Sequence, residues 1–400
     1  MQARSKWTEP VSLASIPDEG MTELQGLYPV EAAENSVEFI YRFMRRPVEQ
    51  AARTDSKVSM TNGILPCQAI ERLVASGVIT GLSDDAAHPP SIQPASLDLC
   101  LGDTALRLRA SFLPGRGATV SETVESIVMH QIDLTGGAVL ETGCVYLIPL
   151  REGLNLPEDI IGLANPKSST GRLDVFTRVI CDGGEKFDTI PPGYRGPLYM
   201  EVAPRTFPIL VRPGDRLGQM RFRRGAHHAL ETQHVSIDLK AGTPGSPIGY
   251  RAKRHSGLVD IRGLGAHAAS EYWEPLYAPN GTLVLDPEEF YILASREAVE
   301  IPIDQAAEMA PIAPEIGEFR AHYAGFFDPG FGVREAGGAG SRAVLEVRGR
   351  DVPFILRHGQ AVAKLVFEPM AAKPDVVYGA QGSHYQSQGL RLSKHFDSEM

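Results

Sequence analysis

The sequence predicts an all-β chain made of two tandem copies of one fold, with a few short helices. Forty glycines and thirty prolines punctuate it at short intervals. The runs between them are brief and rich in Val, Ile, Leu, Tyr and Phe, the pattern of short strands bounded by turns. A fixed shift of 145 residues then superimposes two long stretches of the chain, the mark of an internal duplication.

Under that shift Val139, Leu140, Tyr146, Arg151, Glu152, Pro157 and Asp159 fall on Val284, Leu285, Tyr291, Arg296, Glu297, Pro302 and Asp304. Further on, Pro166, Glu201, Pro208, Arg212, Gly214 and Phe222 fall on Pro311, Glu346, Pro353, Arg357, Gly359 and Phe367. Between these blocks Pro192-Gly193-Tyr194 aligns with Pro329-Gly330-Phe331 at a shift of 137, and the Gly-rich stretch Arg334 to Gly340 restores the register. A loop insertion on a common scaffold behaves this way. Chance similarity of β-rich segments does not hold one register over about eighty residues. The units expected are 63–255 and 256–400. A short helix is expected within Pro66 to Ile79, where Ile70, Leu73 and Val74 have helical spacing and Gly77 supplies a stop. Residues 1–62 match nothing in the second half and carry mixed charge. They are expected to be disordered or loosely attached, with Met21 and Met60 as alternative starts.

Composition excludes several classes. No apolar run approaches the ~18 residues of a membrane helix and no signal-peptide pattern opens the chain, so a cytoplasmic protein is expected. Cys67, Cys100, Cys144 and Cys181 form no C-x-x-C pair, so they are read as buried thiols rather than a zinc cage or disulfide framework. A net charge of -10 argues against a nucleic-acid partner while permitting a local basic pocket for one polyphosphate.

Lys167, Ser168, Ser169 and Arg172 gather two cations and two hydroxyls within six residues, the donors a triphosphate requires. Taken alone, a Lys-Ser-Ser is more often a solvated turn. Glu201 and Glu346 each stand in apolar strand sequence and coincide under the 145-residue shift. Strand alternation alone would make either an outward carboxylate, whereas burial would raise its pKa toward the range of a general base. His227-His228, after Arg221, Arg223 and Arg224, is read as a solvated loop, Gly337 to Gly340 as a hairpin insertion, and Tyr272 and Trp273 as core.

Ile92-Gln93-Pro94-Ala95-Ser96-Leu97-Asp98-Leu99, followed by Leu101-Gly102, resembles the opening of the dCTP deaminases. Lys167, Ser168, Ser169 and Arg172 are similar to that family's phosphate-binding Arg-Ser-Ser and following Arg, with lysine in place of the first arginine. Pro191-Pro192-Gly193-Tyr194-Arg195-Gly196, ending in Glu201, is similar to its Asp-Pro-Gly-aromatic element and catalytic glutamate, without the aspartate. The second unit keeps it, in Asp328-Pro329-Gly330-Phe331-Gly332, with Glu346 at the glutamate position. That unit has Ile312, Ala313, Pro314 and Gly317 where the phosphate loop should be. Its tail, Tyr378, His384-Tyr385, Gln388 and Gly389, resembles the family's nucleotide-closing C-terminus, with histidine in place of a lysine. The first unit has a blurred counterpart around Tyr250 to Gly257.

The resemblance implies two tandem dUTPase-like domains, each a β-clip or distorted jelly-roll barrel, and a hydrolytic deamination of dCTP to dUTP and ammonia that feeds dUMP and dTTP synthesis. It implies a water activated by Glu201 or Glu346 and positioned by Ser168 and Arg172. Nucleotide binding would fall to Lys167, Ser168, Ser169, Arg172, Asp328, Tyr378, His384 and Gln388. Magnesium would be carried by the triphosphate, with no protein metal site. Zinc is not signalled, since the H-x-E and P-C-x-x-C pattern of zinc deaminases is missing. A homo-oligomer with trimer-like packing and inhibition by dTTP are also implied. Glu201 is preferred as the base because it shares a unit with the loop, and Glu346, beside Asp328, is its rival. A dUTP diphosphatase, alone or coupled to deamination, stays open through Asp182 and Asp188, as does a non-catalytic nucleotide-binding protein.

Overall fold

The computed structural model describes residues 61–82, 91–240, 242–312, 319–322 and 325–397, apart from 337, 339, 381–384 and 387. All belong to one unit, Val48–Met400. The expectation for residues 1–62 lies outside them, save Thr61 and Asn62, and so does His384.

The expected helix forms at Cys67–Ala75 and buries Cys67, Ala69 and Ile70. Gly77, with φ +73°, ends that segment, a conformation glycine adopts without steric penalty. Nearly everything else is strand. In the first repeat one sheet orders Thr189–Ile190, Ile160–Pro166, Gly218–Arg224, Ser96–Leu99 and Ile92–Gln93. A second orders Val175–Cys181, Arg195–Pro204, Val145–Asn155, Thr104–Leu108 and Val128–Asp133.

The duplication is visible in the strand registers. Tyr146 pairs with Val202 and Leu147 with Glu201; 145 residues on, Tyr291 pairs with Val347 and Ile292 with Glu346. Gly162 opposite Phe222 repeats as Ala307 opposite Phe367, and Leu140 opposite Ile209 as Leu285 opposite Phe354. Because side chains alternate across a strand, a repeat in register repeats which face is buried.

Pairing with strands of the second repeat begins ahead of His255. Thr232–Ser236 joins Ala361–Pro369, and Gly249–Ala252 joins both Trp273–Leu276 and Phe290–Val299. Arg251 opposite Tyr291 mirrors Arg107 opposite Tyr146, so the repeat reaches back beyond the point where side-chain identity shows it.

Each repeat has its own apolar core. Leu97, Ile148, Met200 and Phe222 belong to the first, and Leu293, Leu345, Leu356 and Phe367 to the second. The first core also takes in Phe290, Ile292 and Val344 from the second repeat, so the two are packed continuously along that face. Tyr272 and Trp273 are buried there against Phe207 and Phe396. All four cysteines are free, and Cys144 alone among them is only half-buried. Gly338 and Gly340 close onto Val333 and Gly332, consistent with a turn insertion. Residues 225–230 are exposed, as a solvated loop would be, and within that loop His227 meets Glu368 at 2.9 Å beside Arg223. Among the described residues no helix is long and apolar enough to cross a membrane.

Candidate active site

The phosphate-loop candidate is a single helical turn, Ser168–Gly171, that follows the strand Ile160–Pro166. The amides of Thr170 and Gly171 donate to the Lys167 carbonyl at 2.9 and 3.0 Å, and the Arg172 amide donates to that of Ser168 at 3.1 Å. This tight turn buries Ser169, Thr170 and Arg172. The Lys167 ammonium contacts Asp98, the acid of the motif Gln93 to Leu99. Asp98 is almost fully buried, and its register beside Gln219 on the neighbouring strand holds it there. Sequence reading quoted that motif without giving Asp98 a role; a lone carboxylate in an apolar strand is the signal that could have found it.

Arg172 is 2% exposed, and its guanidinium meets groups of the second repeat. Its Nε lies 3.8 Å from Glu346 Oε1. Nη2 donates to Gln388 Oε1 at 3.0 Å, and Nη1 donates to the carbonyls of Arg391 at 3.1 Å and Leu392 at 3.4 Å. The Tyr385 ring sits 4.1 Å from the guanidinium carbon, within cation–π range. Ser393 Oγ meets the Ser169 carbonyl at 2.8 Å. The C-terminal segment therefore straps over the loop.

Glu346 stands on the strand Ser341–Gly349 and is 2% exposed. Burial pushes its carboxyl up to about 8, against the opposing pull of Arg172. At 3.8 Å the pair is too long for a hydrogen bond, as is common for catalytic contacts before a ligand draws them together.

Glu201 is not brought to the loop. Its strand, Arg195–Pro204, pairs with Val175–Cys181, which sets Arg178 opposite it. The Arg178 Nη1 to Glu201 Oε1 distance is 3.5 Å. Burial raises the Glu201 carboxyl, while a hydrogen bond from Ser111 and the charge of Arg178 lower it. Asp188, pushed up to about 7 by burial, accepts from the Val179 amide at 2.8 Å and sits in this second neighbourhood. Asp182 accepts from the Val120 amide at 2.7 Å. Both aspartates hold backbone.

Asp328 is buried against Arg221 at 3.0 Å, and Arg221 also donates to the carbonyls of Ala307 and Phe327. Burial raises the Asp328 carboxyl; Arg221 lowers it, and the nearby Asp98 charge adds to the rise. Tyr378 packs on Phe331 with centroids 5.3 Å apart. Gly325 of the second repeat, at φ +99°, packs so closely that a Cβ there would lie 2.4 Å from Ser168 Oγ, and its amide donates to Asn165 Oδ1 at 2.8 Å. Gly325→Ala is therefore expected to turn the Ser168 hydroxyl away and to lower kcat/KM for the substrate by roughly tenfold or more, as small displacements of positioning groups do. Steady-state kinetics checks this.

A cationic, hydroxyl-rich loop from one repeat stands beside a buried carboxyl of displaced pKa from the other, a combination with the chemistry that acid–base work on a polyanion requires. The model described as the N-terminal domain of 2'-deoxycytidine 5'-triphosphate deaminase matches residues 61–226, and that of its C-terminal domain matches 225–396. The crystal structure of 2'-deoxycytidine 5'-triphosphate deaminase from Agrobacterium tumefaciens is 52% identical, with a TM-score of 0.73, covering 78% of this chain and 99% of that one. A dCTP deaminase of Haloarcula marismortui is 31% identical over 136 residues, 33% of this chain and 65% of that protein. A dUMP-forming dCTP deaminase of Acidothermus cellulolyticus is 30% identical over 161 residues, 39% of this chain and 78% of that protein. The chain belongs to the dCTP deaminase family, whose members are hydrolytic deaminases.

Proposed function

We propose that this chain converts dCTP and water to dUTP and ammonia, with Glu346 of the second repeat as general base and the Lys167 to Arg172 turn of the first as the nucleotide clamp. The observation that carries this is the buried Arg172–Glu346 pair beside the Ser168–Gly171 turn. Glu346 takes a proton from water as oxygen adds to cytosine C4. It delivers that proton to N3, then carries the proton of the C4 hydroxyl to the amino nitrogen; the C4–N bond breaks, C4=O forms and ammonia leaves. A pKa near 8 suits a group that must both accept and give a proton near neutrality. Arg172 steadies the negative charge that Glu346 carries at the start of the cycle. Gln388 and Tyr385 hold the guanidinium in place beside the base.

Lys167, with Ser168 and Ser169, would take the triphosphate. Magnesium would travel on the nucleotide and neutralise phosphate charge; ammonium and hydroxyl donors fit phosphate oxygens, not a bare dication. The product would supply dUMP and dTTP synthesis.

A dUMP-forming reaction is named for some relatives. Here Asp182 and Asp188 are both engaged in accepting backbone amides, from Val120 and Val179, which favours deamination alone. The test is purified protein with magnesium and dCTP or dUTP, reading ammonia and nucleotide products. dUTP and ammonia in equal amounts are expected. Formation of dUMP and pyrophosphate would require a diphosphatase step, and binding without turnover would leave a nucleotide-binding protein.

A further inference from the structure

We infer that the buried Asp174–Arg348 pair is a positioning device, which holds the strand carrying Glu346 at the height where Arg172 meets that carboxyl. The inference rests on the deaminase reading of the same site. Arg172 and Asp174 stand two positions apart in the first repeat, and Glu346 and Arg348 two positions apart in the second. On a strand, positions two apart share a face, so Glu346 and Arg348 point to the same side of Ser341–Gly349. Arg172 meets Glu346, and Asp174 meets Arg348. The two rungs carry opposite polarity across the repeat interface. A slip of two residues would set Arg348 against Arg172, so charge as well as packing fixes the register.

The second rung is built more firmly than the first. Asp174 is fully buried and Arg348 is 9% exposed. Thr206 Oγ1 donates to Asp174 Oδ2 at 2.6 Å, and Arg348 Nη2 reaches the same hydroxyl at 2.9 Å. Arg348 Nη1 is held by the Glu288 carbonyl, with Glu288 Oε2 at 3.6 Å. Asp174 has φ +55°, a left-handed conformation that a non-glycine residue adopts at a cost. The Asp174 amide donates to the Gly171 carbonyl at 2.8 Å, and its own carbonyl accepts from the Arg205 amide at 3.0 Å. This strained, over-determined corner lies two positions after Arg172, the residue that faces Glu346. Neither member of the pair serves the chemistry directly, and Asp174–Arg348 is a costly arrangement unless its geometry matters.

Arg172 faces Glu346; Arg348 and Arg205 face Asp174; Asp174 and Glu288 face Arg348. His322 stands opposite Glu346 in the register of the neighbouring strand, Phe319–His322.

The test compares the full chain with Arg348→Gln, Arg348→Lys and Thr206→Val. Arg348→Gln is expected to lower kcat for dCTP roughly 10- to 100-fold while KM moves less than about threefold, the pattern of a misplaced reacting group. Arg348→Lys keeps the charge and should recover most of the loss. A second readout needs no turnover: infrared titration of the Glu346 carboxyl, taken as the difference between each protein and its Glu346→Gln derivative. Glu346 should titrate higher in Arg348→Gln than in wild type, because Arg172 no longer faces it squarely. A lower melting temperature with kcat and the Glu346 titration both unchanged would overturn the inference and leave a pair that only joins the repeats. Should Arg348→Gln fail to fold, Thr206→Val removes the hydroxyl shared by both members and carries the same comparison. If wild type leaves dCTP intact, the deaminase reading fails while the titration still decides the role of the pair.

Discussion

Replacing Glu346 by Gln is expected to abolish ammonia release from dCTP, lowering kcat by roughly 10²- to 10⁴-fold, the range for loss of a general base. Gln fills the same space and can accept a hydrogen bond, so folding and nucleotide binding should survive while proton transfer does not. The matching change Glu201→Gln is expected to leave kcat unaltered. The contrast follows from partners, since both glutamates are buried on equivalent strands. Glu346 faces Arg172 at the Lys167 to Ser169 turn, whereas Glu201 faces Arg178 across its own sheet. Measuring ammonia release and dCTP affinity for both variants decides the matter. Loss of turnover in Glu201→Gln with Glu346→Gln fully active would transfer the chemistry to the first repeat.

This assignment also marks what sequence can and cannot reveal. The duplication was legible because strand register converts a constant shift in sequence into the same face and the same pairing, as Leu147–Glu201 and Ile292–Glu346 illustrate. The donor-rich turn at Lys167 was legible because its chemistry is packed into six consecutive residues. The partnership of Arg172 with Glu346 was not. It arises where two repeats meet, and nothing in chain order distinguishes a glutamate of the same repeat from its counterpart 145 residues away. Asp98, Gly325 and Arg348 were missed for a related reason, since each matters through contacts distant in sequence. Thr232–Ser236 and Gly249–Ala252 pair with strands of the second repeat without repeating the residues of earlier strands, so the side-chain pattern alone does not show that pairing.

The same carboxyl should make stability depend on pH in an uncommon direction. An ordinary buried acid with a cationic partner has a depressed pKa and destabilises the fold when protonated. Glu346 is displaced the other way, from 4.5 to about 8, because burial outweighs Arg172. Its folded form holds the proton more tightly than its unfolded form. The stabilisation is therefore complete below about 4.5 and is lost as pH rises through about 8. Asp188 and Glu152, both buried and pushed up to about 7, act with the same sign over the lower part of that window. For Glu346 alone the loss would be on the order of a few kcal/mol by pH 8.5. Glu346→Gln mimics the protonated state at every pH, so its unfolding free energy should match wild type near pH 5 and exceed it increasingly toward pH 8.5. Denaturant unfolding of both proteins across that range measures the gap. Parallel curves would mean that Glu346 is already ionised near neutrality, with Arg172 compensating fully for burial. A widening gap would show directly that the fold stores its base in the protonated form, which nucleotide binding and closer approach of Arg172 must then reverse before water can be activated.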